Sequence, residues 1–314
     1  MDGTTVSNDV NGRTSYDYRS TYNASLKVNW RLDDIIGGDK KLNFSKRFMP
    51  ESLARVEELT FLNDAEKLVL NQIKGNTYLT MFGIIEEFIV PFVLDHIRPS
   101  WDEDDDRVRA FLQFAGEEVK HIQLFKLFCE DFRRGFASEC KVIGPGSEIG
   151  KAVLAHEPLG VALVILMIEW VSQSHYLDSI KDDGDLDPLF KSLLRNHWIE
   201  EAQHAKLDTL MVEYIAEGMT PEEIEKAVDA FFSIGGFLDG GLQQQTEFEL
   251  EALELATGRK LNAEERDVYN KLQLQANRWT FVGSGMVHPK FLESMERLGT
   301  DHRKRIDAAA PVFA

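Results

Sequence analysis

Apolar and polar positions alternate with a helical period over most of the chain. Apolar residues recur at intervals of three and four, and short polar or glycine-containing loops interrupt them. This pattern predicts four long helices, at about 70–97, 104–138, 150–180 and 186–217. Long helices joined by short loops are typical of an antiparallel bundle. Because no segment shows convincing strand alternation, we predict an all-α fold with a four-helix bundle at its centre.

The same pattern divides the chain into three parts. Residues 1–45 are rich in Ser, Thr, Asn, Asp and Gly, so we expect an extended or partly disordered N-terminal segment. Residues 46–218 form the predicted bundle, and residues 219–314 are expected to form accessory helices packed on it.

The accessory part has its own start and stop signals. Thr220 and Pro221 predict a helix start. The glycine pairs at 235–236 and 240–241 predict the end of that helix. Two more helices are expected near 241–257 and 262–279, and a last short helix from Pro289.

Composition excludes some classes of partner. The chain has 314 residues, 43% of them hydrophobic, and a formal charge of −18 that disfavours binding to nucleic acid. Cys129 and Cys140 have neither metal-site nor disulfide-framework spacing, which favours reduced thiols and a cytoplasmic location. The polar N-terminus does not look like a signal peptide. The most apolar segment, 159–170, is too short to cross a bilayer and contains Glu169, so no membrane partner is expected.

Two of the predicted bundle helices carry Glu-x-x-His. One contains Glu118 and His121, and the other contains Glu201 and His204. A spacing of three places both side chains on one face of a helix, about one turn apart, so both can reach the same metal ion.

Each of these helices is preceded by a helix with a glutamate in apolar surroundings. Glu86 lies 32 residues before Glu118, and Glu169 lies 32 residues before Glu201. A carboxylate in such surroundings must be paired, protonated or bound to metal. The equal spacing favours Glu86 over its neighbour Glu87. Four carboxylates and two imidazoles suit two ions of iron or manganese, including a mixed pair, better than zinc.

Taken together, residues 76–210 resemble the ferritin-like di-iron carboxylate superfamily, which implies dioxygen or metal-redox chemistry. His197, four residues before Glu201, makes the chain similar to the di-iron arylamine N-oxygenases, which use a third histidine as a seventh ligand. The chain is also similar to a family of predicted metal-dependent hydrolases. His197 either binds metal or donates a hydrogen bond to a ligand. Phe125 stands where the radical-forming ribonucleotide reductase subunits carry a tyrosine, which disfavours that activity.

These resemblances imply a di-iron oxygenase that uses O2 to oxidise a small organic substrate, at an amine nitrogen or a carbon. It would need an electron donor such as a reductase or ferredoxin, and a homodimer is common for such bundles. The alternatives are a di-metal hydrolase and an iron-oxidising, iron-handling protein. Glu118 and Glu201 are expected to bridge the metals or to switch between bridging and terminal modes. Glu86 and His121 complete one site, and the other site takes Glu169, His204 and, if it binds metal, His197.

The neighbours of these residues are predicted to have structural roles. Glu87, Glu117 and Glu200 are expected to be solvated or salt-bridged. Tyr78 and Tyr176 are expected in the core. The remaining histidines are predicted to be structural or exposed: His96, His156, His175, His288 and His302.

Overall fold

The computed structural model describes residues 13–102 and 104–314. Within these ranges the chain forms thirteen α-helices and no β-strand, which confirms the all-α prediction. Four long helices carry the core and surround the residues singled out above, as a ferritin-like bundle does.

The N-terminal segment contains helix where an extended chain was predicted. Residues 1–12 lie outside the described part, but helix α1 (Tyr18–Ser25) packs on the bundle. The Asp17 side chain caps α1 by accepting a hydrogen bond from the Ser20 amide at 2.8 Å. Tyr18 contacts Phe111, with ring centroids 5.8 Å apart. This capping and docking outweigh the polar composition of the segment. Two short helices follow, α2 (Leu32–Ile35) and α3 (Glu51–Ala54).

The bundle helices lie close to their predicted positions, with one correction. The helix predicted at 150–180 is broken, because Pro158 has no amide hydrogen and starts a new helix. The second piece continues into a π-helical turn, His175–Ile180. The elements are α4 (Asp64–Ile97), α5 (Asp105–Gly135), α6 (Gly146–Leu154), α7 (Pro158–Ser174) and α8 (Pro188–Ala216).

The C-terminal helices pack on the bundle, but the glycine pairs do not end a helix. Helix α9 (Pro221–Thr257) runs through all four glycines. Each glycine costs a helix about 1 kcal/mol relative to alanine, and the packing of α9 on α4 and α7 outweighs that cost. The remaining elements are α10 (Ala263–Arg278), a π-helical turn (Trp279–Gly283), α11 (Ser284–Met286), α12 (Pro289–Leu298) and α13 (Thr300–Ala309).

Two helices are long and apolar enough to cross a membrane, by length and composition alone. They are Asp64–Ile97 and the combined segment Pro158–Ile180. The uninterrupted apolar segment 159–170, on which the sequence-based expectation rested, is shorter than either helix. In the fold, however, 94% of the apolar window in Pro158–Ile180 and 56% of the window in Asp64–Ile97 are buried inside the protein. Core helices of a globular bundle have this character.

Gly240→Ala is expected to stabilise the protein by about 0.5–1 kcal/mol. Gly240 is exposed within α9, and a Cβ atom there would meet no other atom within 4 Å. Gly160→Ala is the matched contrast, since its Cβ would lie 2.7 Å from the Ala227 carbonyl oxygen where α7 meets α9. Urea unfolding of both variants checks this, and equal effects on the free energy of unfolding would contradict it.

Lys74→Met is expected to lower the free energy of unfolding by about 3–5 kcal/mol. The Lys74 ammonium is buried between α4 and α9, with Nζ 3.2 Å from Glu249 Oε2. Its loss leaves the Glu249 carboxylate buried without its charge partner. Adding Glu249→Leu should recover most of the lost stability. A double variant no more stable than the single one would contradict this explanation.

Candidate metal centre

All four bundle helices contribute to one buried cluster of carboxylates and imidazoles. The seven side chains predicted as metal ligands are each at most 3% exposed. Helices α4 and α7 supply one glutamate each, and α5 and α8 supply the Glu-x-x-His pairs. The members are Glu86, Glu118, His121, Glu169, His197, Glu201 and His204.

Six of these residues form two overlapping groups that could each hold a metal ion. Within each group, one ligand atom per residue lies within 4.8 Å of the others. His121 and Glu201 belong to both groups, Glu86 and His197 complete the first, and Glu118 and His204 complete the second.

The positions of His197 and Glu169 differ from the expected grouping. His197 Nε2 lies 2.7 Å from Glu86 Oε1, on the side of Glu86 rather than with Glu169 and His204. The Glu169 carboxyl group belongs to neither group. It is buried beside Glu201.

The cluster contains polar atoms that its own members do not satisfy. Both carboxylate oxygens of Glu118, and Nδ1 of His121 and of His204, make no hydrogen bond although the residues are fully buried. His204 Nδ1 comes within 2.8 Å of Glu118 Oε1, but without hydrogen-bond geometry. Each unsatisfied buried group costs about 1–3 kcal/mol. Two cations would satisfy these converging atoms, so the residues fit a pair of metal ions.

The outer nitrogens of the two Glu-x-x-His histidines are held reciprocally. His121 Nε2 on α5 lies 2.8 Å from Glu200 Oε2 on α8, and His204 Nε2 on α8 lies 2.9 Å from Glu117 Oε2 on α5. Each acid directly precedes the candidate ligand glutamate of its own helix. Such contacts fix the tautomer and orientation of an imidazole, so that Nδ1 would be the nitrogen available to a metal ion.

The predictions for the neighbouring glutamates have mixed outcomes. Glu117 and Glu200 are buried, so they are not solvated. Glu200 also forms an ion pair with Lys120 at 2.5 Å. Glu87 is exposed and lies 2.6 Å from Lys126 Nζ, whereas Glu86 faces the cluster. This difference favours Glu86 as the ligand supplied by α4.

Burial and charge shift the ionisation of the cluster strongly. Burial raises the pKa values of Glu86 and Glu169 well above their ordinary range, and the nearby acids add to this effect. Burial lowers the pKa of His121, but the carboxylates of Glu200 and Glu201 outweigh it and raise the pKa to about 9. Burial lowers the pKa of His197 to about 3. Protons therefore compensate part of the charge that metal cations would otherwise balance.

Trp30, in the N-terminal segment, covers the candidate metal centre and was not predicted from the sequence. The Trp30 ring is stacked on His121, with centroids 6.0 Å apart, and Lys120 Nζ lies 3.8 Å from the Trp30 ring centroid. Trp30 lies in the segment predicted to be extended. No spacing in the sequence connects it to α5.

A buried polar chain beside the cluster was also missed. The Tyr78 hydroxyl lies 3.2 Å from His175 Nδ1, and His175 Nε2 lies 3.1 Å from Ser284 Oγ. Burial lowers the pKa of His175 to about 3, so the imidazole is neutral at pH 7. His175 was predicted to be structural or exposed, and it is buried. Its partner Ser284 is more than 100 residues away, which is why periodicity could not pair them.

Asp208 is a further buried acid that the sequence did not single out. It lies one turn after His204, and neither carboxylate oxygen has a hydrogen-bond partner. Burial raises its pKa well above the ordinary range. The spacing of four residues after His204 was the available signal.

The fold and this cluster define an all-α, ferritin-like protein with a di-metal centre. The model of the p-aminobenzoate N-oxygenase AurF family matches residues 18–240, and the chain belongs to that family. With the buried carboxylate–histidine cluster, this membership identifies the protein as a di-iron oxygenase.

Solved structures with a similar fold include the R2-like ligand-binding oxidase. A form with an Fe/Fe cofactor and one with a Mn/Fe cofactor each share 13% identity with the chain. Each comparison has a TM-score of 0.47 and covers 84% of this chain and 92% of the other. No curated protein matches the sequence significantly.

Glu200→Gln is expected to weaken iron binding by about 10–100-fold, because the amide is a poorer acceptor for the His121 Nε2 proton. Glu87→Gln is the matched control, since Glu87 is exposed and pairs with Lys126. Competition with a coloured chelator measures both affinities. Equal affinities for the two variants would contradict the orienting role of Glu200.

Proposed function

We propose that the seven buried residues hold two iron ions and that the protein oxidises the nitrogen of a small aromatic amine. The observation that carries this proposal is the set of unsatisfied, converging ligand atoms in a chain of this family. The family is described by its action on p-aminobenzoate, which motivates an arylamine as the substrate class.

In this proposal the carboxylates of Glu118 and Glu201 would be available to both metals, since they lie between the two histidines of the Glu-x-x-His pairs. Glu86, His121 and His197 complete one side. Glu169 and His204 complete the other. Because His197 approaches both Glu86 at 2.7 Å and Glu201 at 3.2 Å, we assign it as the seventh ligand rather than as a hydrogen-bond donor only.

The iron pair, when bound, supplies the redox chemistry that activates dioxygen. The protein chain supplies orientation and a dry environment. Glu117 and Glu200 hold the imidazoles in one tautomer, and Trp30 closes the side facing the N-terminal segment. Apolar side chains of α7 surround Glu169 and exclude water from the centre.

Burial raises the pKa of Tyr78 above its ordinary value, and the nearby charges of Glu201 and Glu86 add to this rise. The Tyr78 hydroxyl is hydrogen-bonded to Nδ1 of the neutral His175 imidazole, and Nε2 of that ring is hydrogen-bonded to the Ser284 hydroxyl. This arrangement fixes the direction of the phenol beside the metals.

The reaction needs electrons, so we propose a reductase or ferredoxin as a partner. A cytoplasmic location suits the two free thiols, Cys129 and Cys140. A homodimer stays a prediction, which size-exclusion chromatography checks.

The direct test is iron content and product formation on the purified protein. We expect about two irons per chain, by analogy with di-metal carboxylate bundles. Reduction with dithionite followed by air should change the visible spectrum, and 4-aminobenzoate or a related arylamine should yield an N-oxygenated product. Glu169→Ala should lose iron and activity together.

Other outcomes separate the alternatives. Bound zinc, a colourless protein and ester hydrolysis would favour the di-metal hydrolase. Rapid Fe(II) oxidation without product from any amine, together with a very large particle, would favour iron handling.

A further inference from the structure

We propose that a cavity between α4 and α5 is the route by which an aromatic substrate reaches the di-metal centre, with the rings of Phe82 and Phe125 as its inner gate. This inference rests on the proposed function, since it assumes that an organic molecule reacts at the metals.

The cavity has the size and walls of a small-molecule site. Its volume is about 670 Å³, which lies in the range of ligand pockets. Leu79 and Ile84 line it from α4, and Cys129 and Phe132 line it from α5. The segment 136–142 closes it after the end of α5.

A single aromatic layer separates the cavity from the candidate ligands. Phe125 lines the cavity, and its ring centroid is 5.1 Å from that of His197. The Phe82 ring centroid lies 5.9 Å from His197 and 6.2 Å from Phe125. Rotation of these two rings would expose the metals to the cavity.

Gly83 makes the wall thin at this point. It lines the cavity one turn before Glu86 and has no side chain. A Cβ atom there would lie 3.5 Å from Phe125 Cβ, which is an ordinary contact, so position 83 has room for the start of a side chain.

The lining also indicates the class of ligand. The apolar walls suit a ring. The Asn76 amide is buried at the cavity and makes no hydrogen bond to the described residues. Arg133 is exposed at the mouth and donates from Nε to the Cys129 carbonyl oxygen at 3.2 Å. Within residues 13–102 and 104–314 it has no carboxylate partner. Glu139 also lines the cavity, as do Glu87 and Lys126, which pair with each other. A small aromatic molecule therefore fits the apolar walls, and a negatively charged group on it would pair with Arg133.

The test uses the Mn(II)-loaded protein with 4-aminobenzoate as the probe, so that it needs no oxygenation. Paramagnetic manganese should shorten the relaxation times of the probe's ring protons in the unmodified protein. Gly83→Leu should weaken this effect at least tenfold, because leucine fills the cavity. Cys129→Met fills it from the opposite wall and should act in the same direction.

Gly116→Leu is the matched control. Gly116 lies in α5, two residues before Glu118, and a Cβ atom there meets no other atom within 4 Å. This variant should relax the probe as the unmodified protein does. The route would be overturned if manganese relaxed the probe's ring protons in both cavity-filling variants as strongly as in the unmodified protein. It would also be overturned if manganese did not relax them in the unmodified protein. If manganese relaxes the probe but the iron-loaded protein oxidises no arylamine, the proposed function is rejected while the access route is supported.

The gate has its own test, the rate at which 2,2′-bipyridine removes iron(II). Phe125→Ala should speed removal several-fold by opening the aromatic layer. Phe128→Ala is the control, because Phe128 is also buried on α5 but makes an edge-to-face contact with Phe190 and does not line the cavity. Equal acceleration by both variants would show general loosening and overturn the gate.

Discussion

The structure depends on one electrostatic constraint, which is that several carboxylates lie together in an apolar bundle. Glu86, Glu118, Glu169 and Glu201 are each at most 3% exposed, and water cannot reach them to stabilise their charges. Histidines, protons or cations must balance the charge. This requirement explains why the same helices carry Glu-x-x-His, why buried acids orient the imidazoles, and why aromatic rings surround the cluster. The residues that would hold the metals are therefore also the residues whose charge the bundle must balance.

The sequence predicted those features of the metal centre that depend on residue spacing within a single helix. The two Glu-x-x-His pairs and the two isolated glutamates stood out because spacing and apolar neighbours are visible along one helix. The same signals placed the long helices to within a few residues at most ends. Pro158 was the exception that could have been recognised, because proline at a first helical position marks a start.

The rest could not be predicted because it arises between distant segments. Trp30 meets His121 only after the N-terminal segment docks, and His175 meets Ser284 only after the C-terminal helices pack. The prediction that the glycine pairs end α9 was wrong for a related reason. Local propensity favours a break there, but contact with α4 and α7 decides the outcome. The reciprocal bonds of Glu117 and Glu200 likewise cross from one helix to another.

The distribution of the candidate ligands along the chain has a consequence for biosynthesis. They extend from Glu86 to His204, so a ribosome must synthesise the chain past residue 204 before the last imidazole can join the others. Iron captured earlier would meet an incomplete set of donors and be released easily. Cofactor loading is therefore a late event in the life of this chain.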